Sequence, residues 1–220
     1  MFIKYLLGIW MGAVCLAAFV WAPADATLGE ISRIIFFHIP TAWVSVLGFL
    51  MCMVYGARYL RKRDEKADAA AAVWAEIGLL FIVVATVSGA IFAKATWGAY
   101  WSWDPRQTSI FVLFLIYMAY MALRSAVDDP ERRASLSSVY SIIAFVTVPL
   151  LVFVIPRLPG IQGLHPNEAI ISNKLNMDLR MLAVFMASLA GFTGVALWMF
   201  GLKMRLVGLR LSDKAGAKEV

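Results

Sequence analysis

Hydrophobic positions in this chain neither alternate nor form a narrow amphipathic stripe. They fall in long uncharged runs separated by short charged connections. Six runs come close to the roughly 20 apolar residues that carry a helix across a bilayer. They are Ile3–Trp21, Ile39–Leu60, Ala72–Ala93, Gln107–Leu123, Leu136–Ile155 and Leu179–Leu202. Lipid cannot satisfy an open backbone, and no alternating pattern suggests a barrel, so each run reads as a helix. The expected fold is an all-α integral membrane protein forming one domain over residues 1–220. It has six transmembrane helices, an external Trp-rich loop and short interfacial helices. Pro149 lies near one end of the fifth run and predicts a kink there. The first run would also pass for a signal peptide, with Ala22-Pro23-Ala24 as a small-residue cleavage site. It reads as a span because its removal would leave five spans, with the termini on opposite sides.

Charge then orients the bundle. Fourteen of the twenty basic residues lie at the N-terminus, in residues 58–71, in residues 124–135 and in the tail 203–220. The other six are Arg33, Lys94, Arg106, Arg157, Lys174 and Arg180. The positive-inside rule predicts both termini and the tail in the cytoplasm, with loops 22–38, 94–106 and 156–178 on the outer face. In the first of these loops, Thr27-Leu28-Gly29-Glu30 has the form of a capping box. Ile31, Ile34 and Ile35 follow at helical spacing, which predicts a short helix on the outer interface. The third loop carries Pro156, Pro159, Gly160 and Gly163, and is long enough to fold over the outer surface.

Composition removes other classes. The chain is 62% hydrophobic and 15% charged, with a mean hydropathy of +0.78. The net charge of +6 reports topology rather than nucleic-acid binding, because the basic residues flank apolar runs. Cys15 and Cys52 sit in apolar runs, form no C-x-x-C pair, and read as small buried hydrophobes. There is no Gly-rich phosphate loop, hence no P-loop ATP hydrolysis. Glu76 is the isolated acidic residue within a span and reads as a headgroup-level group. The spans otherwise offer almost no polar or ligating residues.

Two features carry chemistry. The chain's two histidines, His38 and His165, both fall in the predicted outer segments. Singly, each reads as an interface residue with a local hydrogen bond. As a pair they lack the further ligands zinc requires, whereas two axial imidazoles suit haem iron, to which the porphyrin supplies the other four donors. The second feature is Trp97-Gly98-Ala99-Tyr100-Trp101-Ser102-Trp103-Asp104-Pro105-Arg106. Three of eight tryptophans fall within seven residues, with Tyr100 among them. An aromatic belt would spread its rings over several helix ends, so a platform for a flat ligand explains the cluster better. Gly98 would let the backbone turn or approach the ligand. Asp104 and Pro105 form a helix start. Arg106 would pair with Asp104 or hold a ligand carboxylate. Arg33, Lys94, Arg157 and Lys174 are the other outer cations for such a carboxylate.

The Trp-rich segment resembles the "WWD" motif of haem-handling proteins in cytochrome c maturation. With Phe36-Phe37-His38-Ile39-Pro40-Thr41-Ala42-Trp43, with Leu164-His165-Pro166, and with size and span number, nearly the whole chain resembles the haem exporter protein C family (CcmC). That resemblance implies six helices and an external haem site on the bacterial inner membrane. His38 and His165 would be axial ligands, and Trp97, Trp101, Trp103 and Asp104 would lie along the haem edge. It implies non-covalent haem b, a haem chaperone (CcmE) as recipient, and CcmA, CcmB and the small protein CcmD as companions. The expected function is binding and delivery of haem, without enzymatic activity. Tyr100 stands where Trp is usual in the family and Gln107 where Leu is usual. The motif also resembles CcsA-type cytochrome c synthetases, which are longer and carry further histidines within spans. A third reading, movement of haem through the bundle, would require ligating groups along the spans.

Overall fold

The computed structural model describes residues 2–158, 161, 163, 164 and 177–216, and six of its helices are long and apolar enough to cross a membrane. α1 spans Phe2–Leu16, α2 Ile35–Lys62, α3 Glu65–Trp97, α4 Pro105–Ala126, α5 Pro130–Pro149 and α6 Leu179–Gly216. Most run past their apolar stretches, since the charged residues flanking these are themselves good helix formers. Among the described residues there is no strand.

The boundaries follow from local chemistry. α2 ends where Arg63 takes a left-handed conformation (φ 52°) and its N–H bonds to the Tyr59 carbonyl at 2.7 Å. Asp64 then caps α3 by accepting from the Lys66 amide at 3.0 Å. This tight reversal makes α2 and α3 an antiparallel pair. They approach so closely that a Cβ on Gly48 would lie 2.8 Å from the Gly78 Cα. α5 starts with Asp129 accepting from the Arg132 amide at 2.7 Å and Pro130 in the first turn. Past Pro149 the helix winds on as a π-helical turn, Leu150–Val154, and a 3₁₀ turn, Ile155–Arg157. The disturbance expected at this proline is a change of winding.

The first predicted outer loop differs from its expectation. Thr27 does not cap. Asp25 instead accepts the amides of Thr27 and Leu28, both at 2.8 Å, and Gly29 opens the next turn at φ 60°. Glu30 pairs with Arg33 at 2.5 Å rather than reaching back to the backbone. The predicted short helix is a single 3₁₀ turn, Glu30–Ile34, continuous with α2. Arg33 also donates to the carbonyls of Ala18 and Ala22, at 2.5 and 2.7 Å. Those carbonyls belong to the π-helical end of α1 and its cap, so Arg33 ties α1 to the entry of α2.

α3 is the most enclosed span, 56% of its apolar window being buried against 11% for α1. Phe49 stacks on Tyr117 with centroids 3.6 Å apart, and Trp74 stacks on Phe200 at 4.8 Å. The expectation of spans nearly without polar groups is corrected here. Arg124 grips Asp68 with two hydrogen bonds, at 2.6 and 2.8 Å. Glu76 pairs with Lys203 across α3 and α6. Ser137, Ser138, Ser141, Tyr117 and Tyr120 are buried between helices. Hydroxyl residues score near neutral in hydropathy and Arg124 and Asp68 flank the apolar runs, so run-counting passed over them.

Candidate functional site

His38 lies one turn into α2, in a stretch that the sequence assigned to a loop. Pro40, two residues on, has no N–H to offer the Phe36 carbonyl four residues back. The Ser188 hydroxyl of α6 donates to that carbonyl instead. Thr41 Oγ1 donates to the carbonyls of Phe37 and His38, at 2.9 and 2.8 Å. The proline therefore leaves the helix intact and binds it to α6.

The His38 imidazole turns toward α3. Its Nδ1 lies 3.0 Å from the Ala85 carbonyl and 3.1 Å from Ser88 Oγ. A carbonyl only accepts, so Nδ1 carries the proton and Nε2 the lone pair. Gly89 makes room for the ring, since a Cβ there would lie 2.9 Å from His38 Cε1. The carbonyl fixes the tautomer and the orientation of the ring.

The Trp-rich loop joins α3 to α4. Gly98 closes α3 at φ 83°, its N–H on the Lys94 carbonyl at 3.2 Å, and so supplies the predicted turn. Lys94 Nζ returns to the Gly98 carbonyl at 2.8 Å. Trp97 meets Phe92 edge-on at 5.5 Å. Trp101 and Trp103 meet edge-to-face at 5.7 Å, and both lie against Phe111 of α4. Tyr100 and Trp103 are 60% and 66% exposed, large apolar surfaces left uncovered. Trp103 holds φ 57°, a strained value for a bulky residue. Gln107, the position noted as unusual, clamps this loop. Its Oε1 accepts from the Ser102 amide at 2.9 Å and its Nε2 donates to the Tyr100 carbonyl at 3.4 Å.

Asp104 caps α4 as predicted, Oδ1 accepting from the Arg106 amide at 2.9 Å, with Pro105 in the first turn. Its Oδ2 accepts from the Leu164 amide at 2.6 Å. Gly163 permits this approach, since a Cβ there would lie 2.9 Å from Oδ2. The Trp-rich loop and the third loop are thus joined at the residue before His165. His165 itself, like Lys174, lies outside the described residues. Arg106 reaches Asp104 through its backbone amide, and its guanidinium forms no hydrogen bond among the described residues. It stands close enough to Arg157 for the two charges to repel. Arg157 donates to the Phe153 carbonyl at 2.9 Å, and its buried Nε has no partner among the described residues. Of the predicted outer cations that are described, Arg33 and Lys94 are engaged with carbonyls, Arg157 bonds carbonyls and keeps an unpartnered Nε, and the Arg106 guanidinium lies between the charges of Asp104 and Arg157.

The sequence reading missed Ala85, Ser88 and Gly89, and it named Gln107 and Gly163 without the contacts they make. The one signal for the first three is Ser88-Gly89, a pair of small residues inside an otherwise bulky apolar run. Among the described residues no three His, Cys, Asp or Glu side chains gather as a metal site.

The family model described as "Heme exporter protein C" matches residues 2–217. Among curated relatives, heme exporter protein C of Bradyrhizobium diazoefficiens is 37% identical over 132 residues, covering 60% of this chain and 50% of the relative. That of Paracoccus denitrificans is 34% identical over 161 residues, covering 72% and 66%. That of Haemophilus influenzae is 28% identical over 211 residues, covering 96% and 85%. The chain spans about half to two thirds of the length of the first two relatives.

Proposed function

This chain belongs to the heme exporter protein C family, and we propose that it binds haem non-covalently at the Trp-rich end of the bundle and passes it to a haem chaperone for cytochrome c maturation. The observation that carries this reading is His38, whose Nδ1 is committed to the Ala85 carbonyl so that Nε2 is the nitrogen suited to iron. Asp104 supports it by holding the backbone at Leu164, next to His165, the proposed second ligand. Trp97, Trp101 and Trp103, with Tyr100 and Gly98, form the apolar platform. Arg106 and Arg157 pair with the propionates. Haem b is cargo here, and iron coordination by two imidazoles is what it brings to the site. Covalent chemistry belongs to the recipient, so the chain acts as a binding and transfer protein and not as an enzyme.

In this reading the Trp-rich end faces the periplasm, and both termini lie in the cytoplasm of a bacterial inner membrane. The chaperone CcmE, the ATP-driven CcmA and CcmB, and CcmD are the proposed partners. Exposed Tyr100 and Trp103 at the loop rim suit a protein that meets haem and rings together.

The test is the absorption spectrum of the purified chain with added haem. The His38→Ala, His165→Ala double variant is expected to lose the bound-haem bands. A variant spectrum equal to wild type would sink the ligand assignment. Reporter fusions after Arg63 and near Gln162 should read cytoplasmic and external respectively, and the reverse would overturn the orientation.

A further inference from the structure

Away from the Trp-rich end, α1 and α6 line a groove of about 710 Å³. The helices are joined at its inner end, where Trp10 Nε1 donates to the Ala187 carbonyl at 2.9 Å. Next to that bond Met11 and Trp10 fill the space over Gly191. Toward the termini the walls are apolar, with Leu7, Leu197 and Trp198 among them. Leu7 closes over Gly194, and the floor is open at Gly201, where no heavy atom lies within 4 Å of a built Cβ. Lys4 and Arg205 line the terminal end. Both are exposed, and neither has a carboxylate partner among the described residues.

We propose that this groove holds an anionic phospholipid of the leaflet on the side of the termini, its acyl chain between α1 and α6 and its phosphate between Lys4 and Arg205. Length supports a lipid. From Gly191 to Arg205 α6 rises roughly 21 Å, and from Lys4 to Trp10 α1 rises roughly 9 Å. These bracket the roughly 15 Å of one leaflet's hydrocarbon. A partner's spanning helix would need a face continuous through both leaflets, and the Trp10–Ala187 closure interrupts this one midway. Charge supports an anionic headgroup, because a basic pocket between helices at headgroup level attracts phosphate-bearing lipids. The proposal does not depend on the haem reading, since none of these residues lies at the Trp-rich end.

The test uses the full chain in nanodiscs of equal phosphatidylglycerol and phosphatidylcholine, released for native mass spectrometry. Wild type is expected to retain one phosphatidylglycerol in preference to phosphatidylcholine. Lys4→Gln and Arg205→Gln should each lower that preference on the order of fivefold. Gly201→Leu keeps both cations and fills the open floor, so it should lose the retained lipid of either kind. Helical circular dichroism checks the fold of each variant. Equal retention of the two lipids by wild type would overturn the proposal. So would undiminished phosphatidylglycerol in the double glutamine variant, or a Gly201→Leu variant whose one change is loss of a dimer.

Discussion

The carboxylate of Asp104 meets the backbone amide of Leu164 at 2.6 Å across sixty residues of sequence. The same side chain caps α4 through the Arg106 amide. One residue therefore fixes both the start of a helix and the approach of the third loop to the Trp-rich loop. Asp104→Ala should expose the Leu164 amide to hydrogen exchange and cost about 1 kcal/mol for the lost cap. A further 1.5–3 kcal/mol or so belongs to the charge-assisted bond. Haem per purified protein should fall with it, because the loop bearing His165 loses its tether. Unchanged exchange at Leu164 would show that the bond does not order the loop.

Gly89 should behave as a site residue although it has no side chain. Gly89→Ala places a methyl 2.9 Å from His38 Cε1, so the ring must swing away from the Ala85 carbonyl. Haem occupancy is expected to drop nearly as far as in His38→Ala. Ser88→Ala removes one acceptor from Nδ1 and keeps the other. That variant should retain haem, with a higher reduction potential, because a weaker hydrogen bond leaves the imidazole a poorer donor to ferric iron. A Gly89→Ala protein with wild-type occupancy would mean that His38 is not held as described.

Arg106 and Arg157 should distinguish haem from its uncharged analogue. Replacing Arg106 by Gln removes one charge-assisted contact, about 1.5–3 kcal/mol, or roughly ten- to a hundredfold in affinity. Binding of the haem dimethyl ester should hardly change, since it carries no carboxylate. Equal losses for both ligands would assign Arg106 a packing role.

Gln107→Leu tests whether the unusual residue supports the loop. The substitution strips partners from the Ser102 amide and the Tyr100 carbonyl. A cost of about 1–3 kcal/mol is expected where the freed groups stay buried. Hydrogen exchange should rise at Ser102, while haem occupancy falls less than in His38→Ala. No change at Ser102 would make Gln107 incidental.

Six spans, their approximate places and the Trp-rich segment were legible in the sequence by itself, because lipid imposes one rule on every span: a long apolar run with its backbone bonded internally. Asp104-Pro105 was legible as a helix start because capping is local. Helix ends were less so. α2 begins at Ile35 rather than Ile39, since Pro40 looked like a boundary and only Ser188 of α6 makes it tolerable there. The tether from Asp104 to Leu164, the ring of His38 between Ala85 and Gly89, and the pairing of Glu76 with Lys203 were decided by the tertiary structure alone. Each joins residues that are neighbours only after the helices pack. A periodic pattern fixes which face of a helix is apolar, but not which residue of a distant helix will stand opposite it.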